Sequence, residues 1–120
     1  MIAILGSGAM GSVFGGRLTE AGEEVILIDT WKEHVDEMND NGLNLEGVGG
    51  DRVIPVRAVT SPKGVKKVEL VIVFVKSPQT ETAVKGALSL VGKDTMVMTL
   101  QNGLGNAEII AEVVGVERVI

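Results

Sequence analysis

The residues that most constrain the chemistry of this chain are Gly6, Ser7, Gly8, Ala9, Met10 and Gly11, a G-x-G-x-x-G run directly behind Met1-Ile2-Ala3-Ile4-Leu5. Five apolar residues stop at a glycine, and apolar residues then recur at helical spacing at Met10, Val13, Phe14, Leu18 and Ala21. That pattern predicts a buried parallel strand, a tight turn and a helix N-terminus. A turn of this kind suits a pyrophosphate. Gly6 can take the sharp bend, Gly8 has no Cβ to hold an anion off the backbone, and Gly11 lets the helix lie close to the strand. The free N–H groups and dipole at the helix start then favour the negative charge. The plainer reading is a glycine-rich corner. The strand before, the helix after and an acid downstream speak for dinucleotide binding instead.

The acid is Asp29, at the end of Val25-Ile26-Leu27-Ile28 and eighteen residues beyond Gly11. An acid near that spacing can accept both hydroxyls of the adenine-side ribose. Its charge repels a 2′-phosphate, which argues for NADH over NADPH; Thr30 and Lys32 are the nearby groups that would soften the repulsion. The alternative is a strand-end Asp capping the helix that begins near Trp31, and the two roles are compatible. Two further apolar runs exit into polar residues, where open α/β sheets bind ligands. Val71-Ile72-Val73-Phe74-Val75 leads into Lys76-Ser77-Pro78-Gln79-Thr80, and Met96-Val97-Met98-Thr99-Leu100 into Gln101-Asn102-Gly103-Leu104-Gly105-Asn106. Lys76 would sit beside the crevice, able to meet phosphate or carboxylate. By residue chemistry alone, the plainer readings are favoured: a solvated lysine before a Pro-initiated helix, and an Asn-Gly turn.

These groups need a scaffold, and the apolar rhythm supplies one. Strands are expected at 1–5, 24–29, 69–75 and 94–99, and helices near 9–21, 31–41, 79–91 and 104–114. This alternation predicts an α/β, Rossmann-type doubly wound fold, a mostly parallel sheet with helices on both faces. Residues 43–59 break the rhythm. Leu43-Asn44-Leu45-Glu46 alternates, Gly47 to Asp51 is rich in turn formers, and Arg52-Val53-Ile54-Pro55-Val56 is extended again. A β-hairpin inserted at the sheet's margin fits, with Pro55 at an edge or bulge. Glu117-Arg118-Val119-Ile120 reads as the start of another strand, as in a domain cut from a longer protein. On the second helix Trp31, Val35 and Met38 form one stripe, while Glu33, Asp36, Glu37 and Asp40 make a solvated face. Trp31 is expected to anchor that helix rather than lie against an adenine ring. His34 has no partner at ligand spacing and reads as a surface residue, so no metal site is expected.

Composition narrows the classes further. The 120 residues make one domain, small for a complete two-substrate dehydrogenase. The longest apolar run, Leu70–Val75, is far short of a membrane span, and the N-terminus reaches Gly6 too soon for a signal peptide. Absence of cysteine excludes disulfide and thiolate chemistry and fits a cytoplasmic protein. Eleven basic against sixteen acidic side chains, a net charge of −5 and three aromatics argue against a nucleic-acid partner.

Taken together and in order, Gly6-Ser7-Gly8-Ala9-Met10-Gly11-Ser12, Gly50-Asp51-Arg52-Val53-Ile54-Pro55-Val56, Lys76-Ser77-Pro78-Gln79-Thr80 and Gln101-Asn102-Gly103-Leu104-Gly105-Asn106 resemble the amino-terminal domain of the ketopantoate reductases (2-dehydropantoate 2-reductases). The resemblance covers essentially the whole chain. It implies that Lys76 and Asn102 line the cofactor and substrate side of a cleft, in place of the plainer readings above. It implies reduction of 2-dehydropantoate to (R)-pantoate, usually with NADPH, on the route to pantothenate and coenzyme A. In that family the catalytic lysine, its supporting glutamate and most substrate ligands lie in a helical carboxy-terminal domain. No catalytic residue is therefore assigned within these 120 residues, and a homodimer would form through the other domain. The chain departs from the family where an arginine often follows the second strand to hold a 2′-phosphate; here Asp29-Thr30 stands instead. NADPH or NADH thus stays open. Other readings are the nucleotide-binding domain of another two-domain reductase, such as a 3-hydroxyisobutyrate or 6-phosphogluconate dehydrogenase relative, or a non-catalytic module that senses nicotinamide nucleotide.

Overall fold

The computed structural model describes residues 1–6, 8–45, 50–75, 79–99 and 106–120, with the backbone alone at residue 9. Five parallel strands form one sheet in the order β5 (Arg57–Val59), β2 (Val25–Ile28), β1 (Ile2–Leu5), β6 (Val68–Val73) and β7 (Val91–Thr99). The central strands carry almost no polar side chains because both faces of the sheet are covered. On one face Ala3, Leu5, Ile26 and Val73 pack with Val84 of α3 (Thr80–Gly86) and Ile110 of α4 (Asn106–Val114). On the other, Ile4, Leu27 and Ile72 pack with Leu18 of α1 (Ala9–Glu20) and with Val35 and Met38 of α2 (Lys32–Asn41). This is the doubly wound, Rossmann-type α/β architecture expected from the sequence. No helix among the described residues is long and apolar enough to cross a membrane.

Helix α1 turns only part of its apolar set to the sheet: Leu18 joins the core and the half-buried Phe14 packs against Phe74. Met10 is 60% exposed and Val13 39%, whereas Gly11, Gly15 and Gly16 are buried. A Cβ at Gly15 would stand 2.6 Å from Leu27 Cδ2, and one at Gly16 3.0 Å from Leu45 Cδ2. The helix thus rests on a glycine face, which brings its N-terminus down onto the end of β1.

The segment 43–59 holds the main departure from the expected layout. Leu43–Leu45 (β3) and Arg52–Ile54 (β4) do pair antiparallel, but as a separate two-stranded sheet. Leu43 joins the α1–α2 core and Leu45 packs on Gly16. Arg52 holds the β-ribbon to α1 through a forked ion pair with Glu20. The same contact pulls the Glu20 carboxyl below its ordinary pKa and raises that of Arg52. Pro55 lies between β4 and β5, in neither strand. The sheet's margin is β5, a fifth parallel strand where hairpin residues were expected. At three residues it is too short to show a period. It persists because the outward groups of this edge strand are occupied: Asn39 Nδ2 donates to the Ala58 carbonyl (2.8 Å), and the Ala58 N–H donates to Asn39 Oδ1 (2.9 Å). A side-chain amide thereby stands in for a neighbouring strand. Replacing Asn39 with Ala removes two hydrogen bonds, each of which contributes roughly 0.5–1.5 kcal/mol net, so a loss of about 1–3 kcal/mol is expected. The denaturant midpoint measures it, and an unchanged midpoint would show that water replaces the amide without loss.

Elsewhere the differences are local. Helix α3 stops at Gly86, short of the expected 91, and a 3-10 turn at Leu88–Leu90 drives Leu90 into the core. Strand β7 then begins at Val91, opposite Val68. Thr95 Oγ1 bridges the register shift that follows, accepting from the Gly92 N–H (2.8 Å) and donating to the Val68 carbonyl. In place of a strand from 117, Val116–Arg118 forms a 3-10 turn, and Val119 alone bridges to Val97 in the parallel sense. Trp31 is not an anchor: it is 61% exposed, with its ring centroid 5.4 Å from that of a half-buried His34, while Val35 and Met38 carry the buried stripe.

Candidate functional site

The carboxyl ends of β1, β2, β5 and β6 surround a cavity of about 770 Å³, a size usual for cofactor sites. It lies where the strand order reverses about β1, the place at which open α/β sheets bind ligands. Leu5 and Gly6 enter it from β1, Ile28, Asp29 and Thr30 from β2, and Phe74 and Val75 from β6.

The first turn has the geometry that its glycines require. Gly6 has φ +94, and a Cβ there would come within 3.1 Å of the Phe74 and Val75 backbone. Gly11 is the tightest contact. A Cβ on it would lie 2.0 Å from the Gly6 carbonyl oxygen, so only glycine permits α1 to start this close to the turn. Gly8 differs from both. It caps α1 in extended geometry (φ −66, ψ −168), lines the cavity, and has nothing within 4 Å of the position a Cβ would take. Its carbonyl accepts the first intrahelical bond, from the Ser12 N–H at 2.8 Å. The N–H groups before Ser12 have no acceptor within the helix. No side chain caps the helix at Gly8, and its first turn carries no acid. An anion at this helix start meets donors and no acid of the helix's own first turn.

Asp29 caps a helix and faces the cavity. Its Oδ1 accepts the Trp31 N–H at 2.8 Å, at the start of α2, and the residue also lines the cavity beside Thr30. Lys32 is engaged elsewhere: its ammonium is 2.5 Å from Asp36 Oδ2, one turn along α2, and that contact raises its pKa. Met10, within the first turn, points its side chain largely into solvent. Ser7, Lys76 and Asn102 lie outside the described residues, as does the side chain of Ala9.

Sequence reasoning missed two walls of the cavity. Thr60, Ser61 and Pro62 enter it from the exit of β5, and they were overlooked because no strand of the main sheet was expected within residues 43–59. The strand-exit rule would have found them had β5 been assigned. Helix α3 contributes the other wall with Gln79 and the small residues Thr82, Ala83, Gly86 and Ala87. Their spacing on one helical face was the available signal. A buried polar contact, Thr80 Oγ1 donating to Asn106 Oδ1 at 3.5 Å, also joins the first residues of α3 and α4. Among the described residues no three His, Cys, Asp or Glu side chains come together in a way that would hold a metal ion.

Comparison with known proteins identifies the family. The sequence model for the family described as Ketopantoate reductase PanE/ApbA matches residues 2–120. The chain belongs to the ketopantoate reductase family. It is 43% identical over 114 residues to a 2-dehydropantoate 2-reductase of Pyrococcus horikoshii, an alignment covering 95% of this chain and 36% of that protein. The chain thus spans about a third of the length of the curated relatives it matches. Among solved structures it resembles a 2-dehydropantoate 2-reductase from Geobacter metallireducens, with TM-score 0.89 and 34% identity over 98% of this chain and 39% of the other. It also resembles D-mandelate dehydrogenase in a ternary structure with NADH and anilino(oxo)acetate, with TM-score 0.90 and 39% identity over 98% of this chain and 38% of the other.

Proposed function

We propose that these residues form the nicotinamide-dinucleotide-binding domain of a two-domain 2-keto acid reductase, acting on 2-dehydropantoate to give (R)-pantoate. One observation carries the reading: Gly8, at an uncapped and acid-free helix start, and Asp29, at the next strand end, share the wall of one cavity. Family membership supports a nicotinamide cofactor and this reaction type, and a similar structure that holds NADH supports the cofactor again.

The residues present fit such a dinucleotide. Gly6, Ser7, Gly8, Ala9, Met10 and Gly11 would hold the pyrophosphate on backbone N–H groups, with the space beyond Gly8 left open for it. Asp29, while still capping α2, would accept the ribose hydroxyls. The small face of α3 leaves room for the base. The bound cofactor supplies the hydride. By family resemblance Lys76 and Asn102 would orient the reactive end and the keto acid, and a helical carboxy-terminal domain would carry the general acid for the developing alkoxide.

Because Asp29 faces the ribose and Lys32 is drawn to Asp36, NADH is expected to bind at least as well as NADPH. Asp29→Asn keeps an acceptor for the Trp31 N–H and removes the charge, so it isolates electrostatics from capping. Removing one repulsion of this kind near a protein surface is expected to shift the NADPH-to-NADH affinity ratio about tenfold towards NADPH. Calorimetric titration of both dinucleotides into both proteins measures the shift. Tight NADPH and weak NADH binding by the unmodified chain would overturn the assignment of Asp29. A second substrate reading follows from the likeness to D-mandelate dehydrogenase, whose ternary structure holds an aryl oxo-acid derivative. An aryl 2-keto acid reduced faster than 2-dehydropantoate by the two-domain protein would select it.

A further inference from the structure

We propose that Lys63 is the cation with which this chain meets the 2′-phosphate of NADPH, so that cofactor choice is set by Asp29 against Lys63 and not by Asp29 against Lys32. The proposal rests on the dinucleotide reading above. Its basis is the edge strand that the sequence concealed. The Asp29 N–H donates to the Val59 carbonyl at 3.1 Å, which binds the exit of β5 to the exit of β2. Thr60, Ser61 and Pro62 therefore share the cavity wall with Asp29 and Thr30.

Lys63 follows directly and is exposed, its N–H donating to Ser61 Oγ at 3.2 Å. It occupies the second position of a β-turn closed by the Val65 N–H on the Pro62 carbonyl (3.0 Å). Gly64 takes the third position with φ +82, as a type II turn requires. A lysine at such a corner has a long tether and a free choice of direction. Among the described residues Lys63 makes no ion pair, whereas Lys32 is paired with Asp36. The Lys32–Asp36 pair also draws the Lys32 chain towards the C-terminal end of α2, away from Asp29 at its start. Glu33 lies beside it and adds a further negative charge.

The test titrates NADH and NADPH into the unmodified chain and into Lys63→Gln, Lys32→Gln and Lys76→Gln. The same Lys63 substitution in the Asp29→Asn background keeps the measurement accessible where NADPH binding is weak. Lys63→Gln is expected to weaken NADPH about three- to tenfold while NADH changes by less than about twofold, a difference that shrinks as salt is raised. A structural role would weaken both dinucleotides and would not follow salt. Lys32→Gln is expected to leave the ratio within about twofold, since its charge is already engaged. An unchanged ratio in Lys63→Gln overturns the proposal, as does a selective loss of NADPH in Lys32→Gln or Lys76→Gln with none in Lys63→Gln. A chain that binds neither dinucleotide overturns the underlying reading and this proposal with it.

Discussion

Gly8→Val is expected to abolish dinucleotide binding in a protein that still folds. The backbone at Gly8 is extended, a conformation that valine adopts freely, and the added side chain would meet nothing within 4 Å of its Cβ. The stability cost is the loss of a favourable N-cap residue, about 1 kcal/mol at most. The side chain would instead fill the space that the pyrophosphate needs at the helix start. Affinity is expected to fall at least about 100-fold, equivalent to roughly 2.7 kcal/mol. Gly11→Ala gives the opposite result and serves as the control. Its Cβ would lie 2.0 Å from the Gly6 carbonyl oxygen, an overlap with backbone that no rotamer relieves. That substitution should cost more than the roughly 1–3 kcal/mol usual for overpacking. Calorimetry with NADH, beside denaturant unfolding, separates the two. A folded Gly8→Val variant with unchanged NADH affinity would show that the pyrophosphate does not lie where the glycine turn points.

The contrast between these glycines shows what the sequence could and could not convey. That Gly6, Gly8 and Gly11 mark a strand, a turn and a helix start was legible, because period and spacing are properties of a one-dimensional pattern. Which residues of α1 come closest to the sheet was not. Apolar residues at Met10 and Val13 suggested a buried stripe, yet close approach favoured Gly11, Gly15 and Gly16. Burial there is governed by clearance, and a hydrophobicity pattern carries no information about clearance. The edge strand was hidden for a different reason. Arg57–Val59 is held by pairing with β2 and by Asn39, both distant in sequence, and three residues cannot declare a period of two. Missing that strand hid Thr60, Ser61 and Pro62 at the cavity wall, and the turn that follows them at Lys63 and Gly64. The capping role of Asp29 and its place at the cavity wall were legible because each depends on local spacing. The polar contact of Thr80 with Asn106 was not legible, since only the packing of α3 beside α4 creates it.

By themselves these 120 residues are expected to bind a nicotinamide dinucleotide yet reduce 2-dehydropantoate negligibly. The polar residues that line the described cavity are Asp29, Thr30, Thr60, Ser61, Gln79 and Thr82, none of which is suited to give a proton to an alkoxide near neutral pH. Lys76, outside the described residues, is a further candidate by its place after an apolar run, and by family resemblance it orients ligands. General acid catalysis contributes a factor of about 10²–10⁴, which would be missing here. Holding the keto carbon in attack geometry can be worth roughly 7–11 kcal/mol, and a single open domain supplies only the cofactor's share of it. The cavity also stays accessible to water without a second domain to close over it. The chain's match to about a third of its relatives' length gives the comparison a concrete form. Cofactor oxidation is followed by absorbance with 2-dehydropantoate, for the 120 residues and for a two-domain form side by side. In the two-domain form Lys76→Ala and Asn102→Ala should each lower kcat or raise KM without shifting the unfolding midpoint. Turnover by the 120 residues within about tenfold of the two-domain form, well inside the factor general acid catalysis contributes, would put the proton donor in this chain, with Lys76 the first residue to substitute.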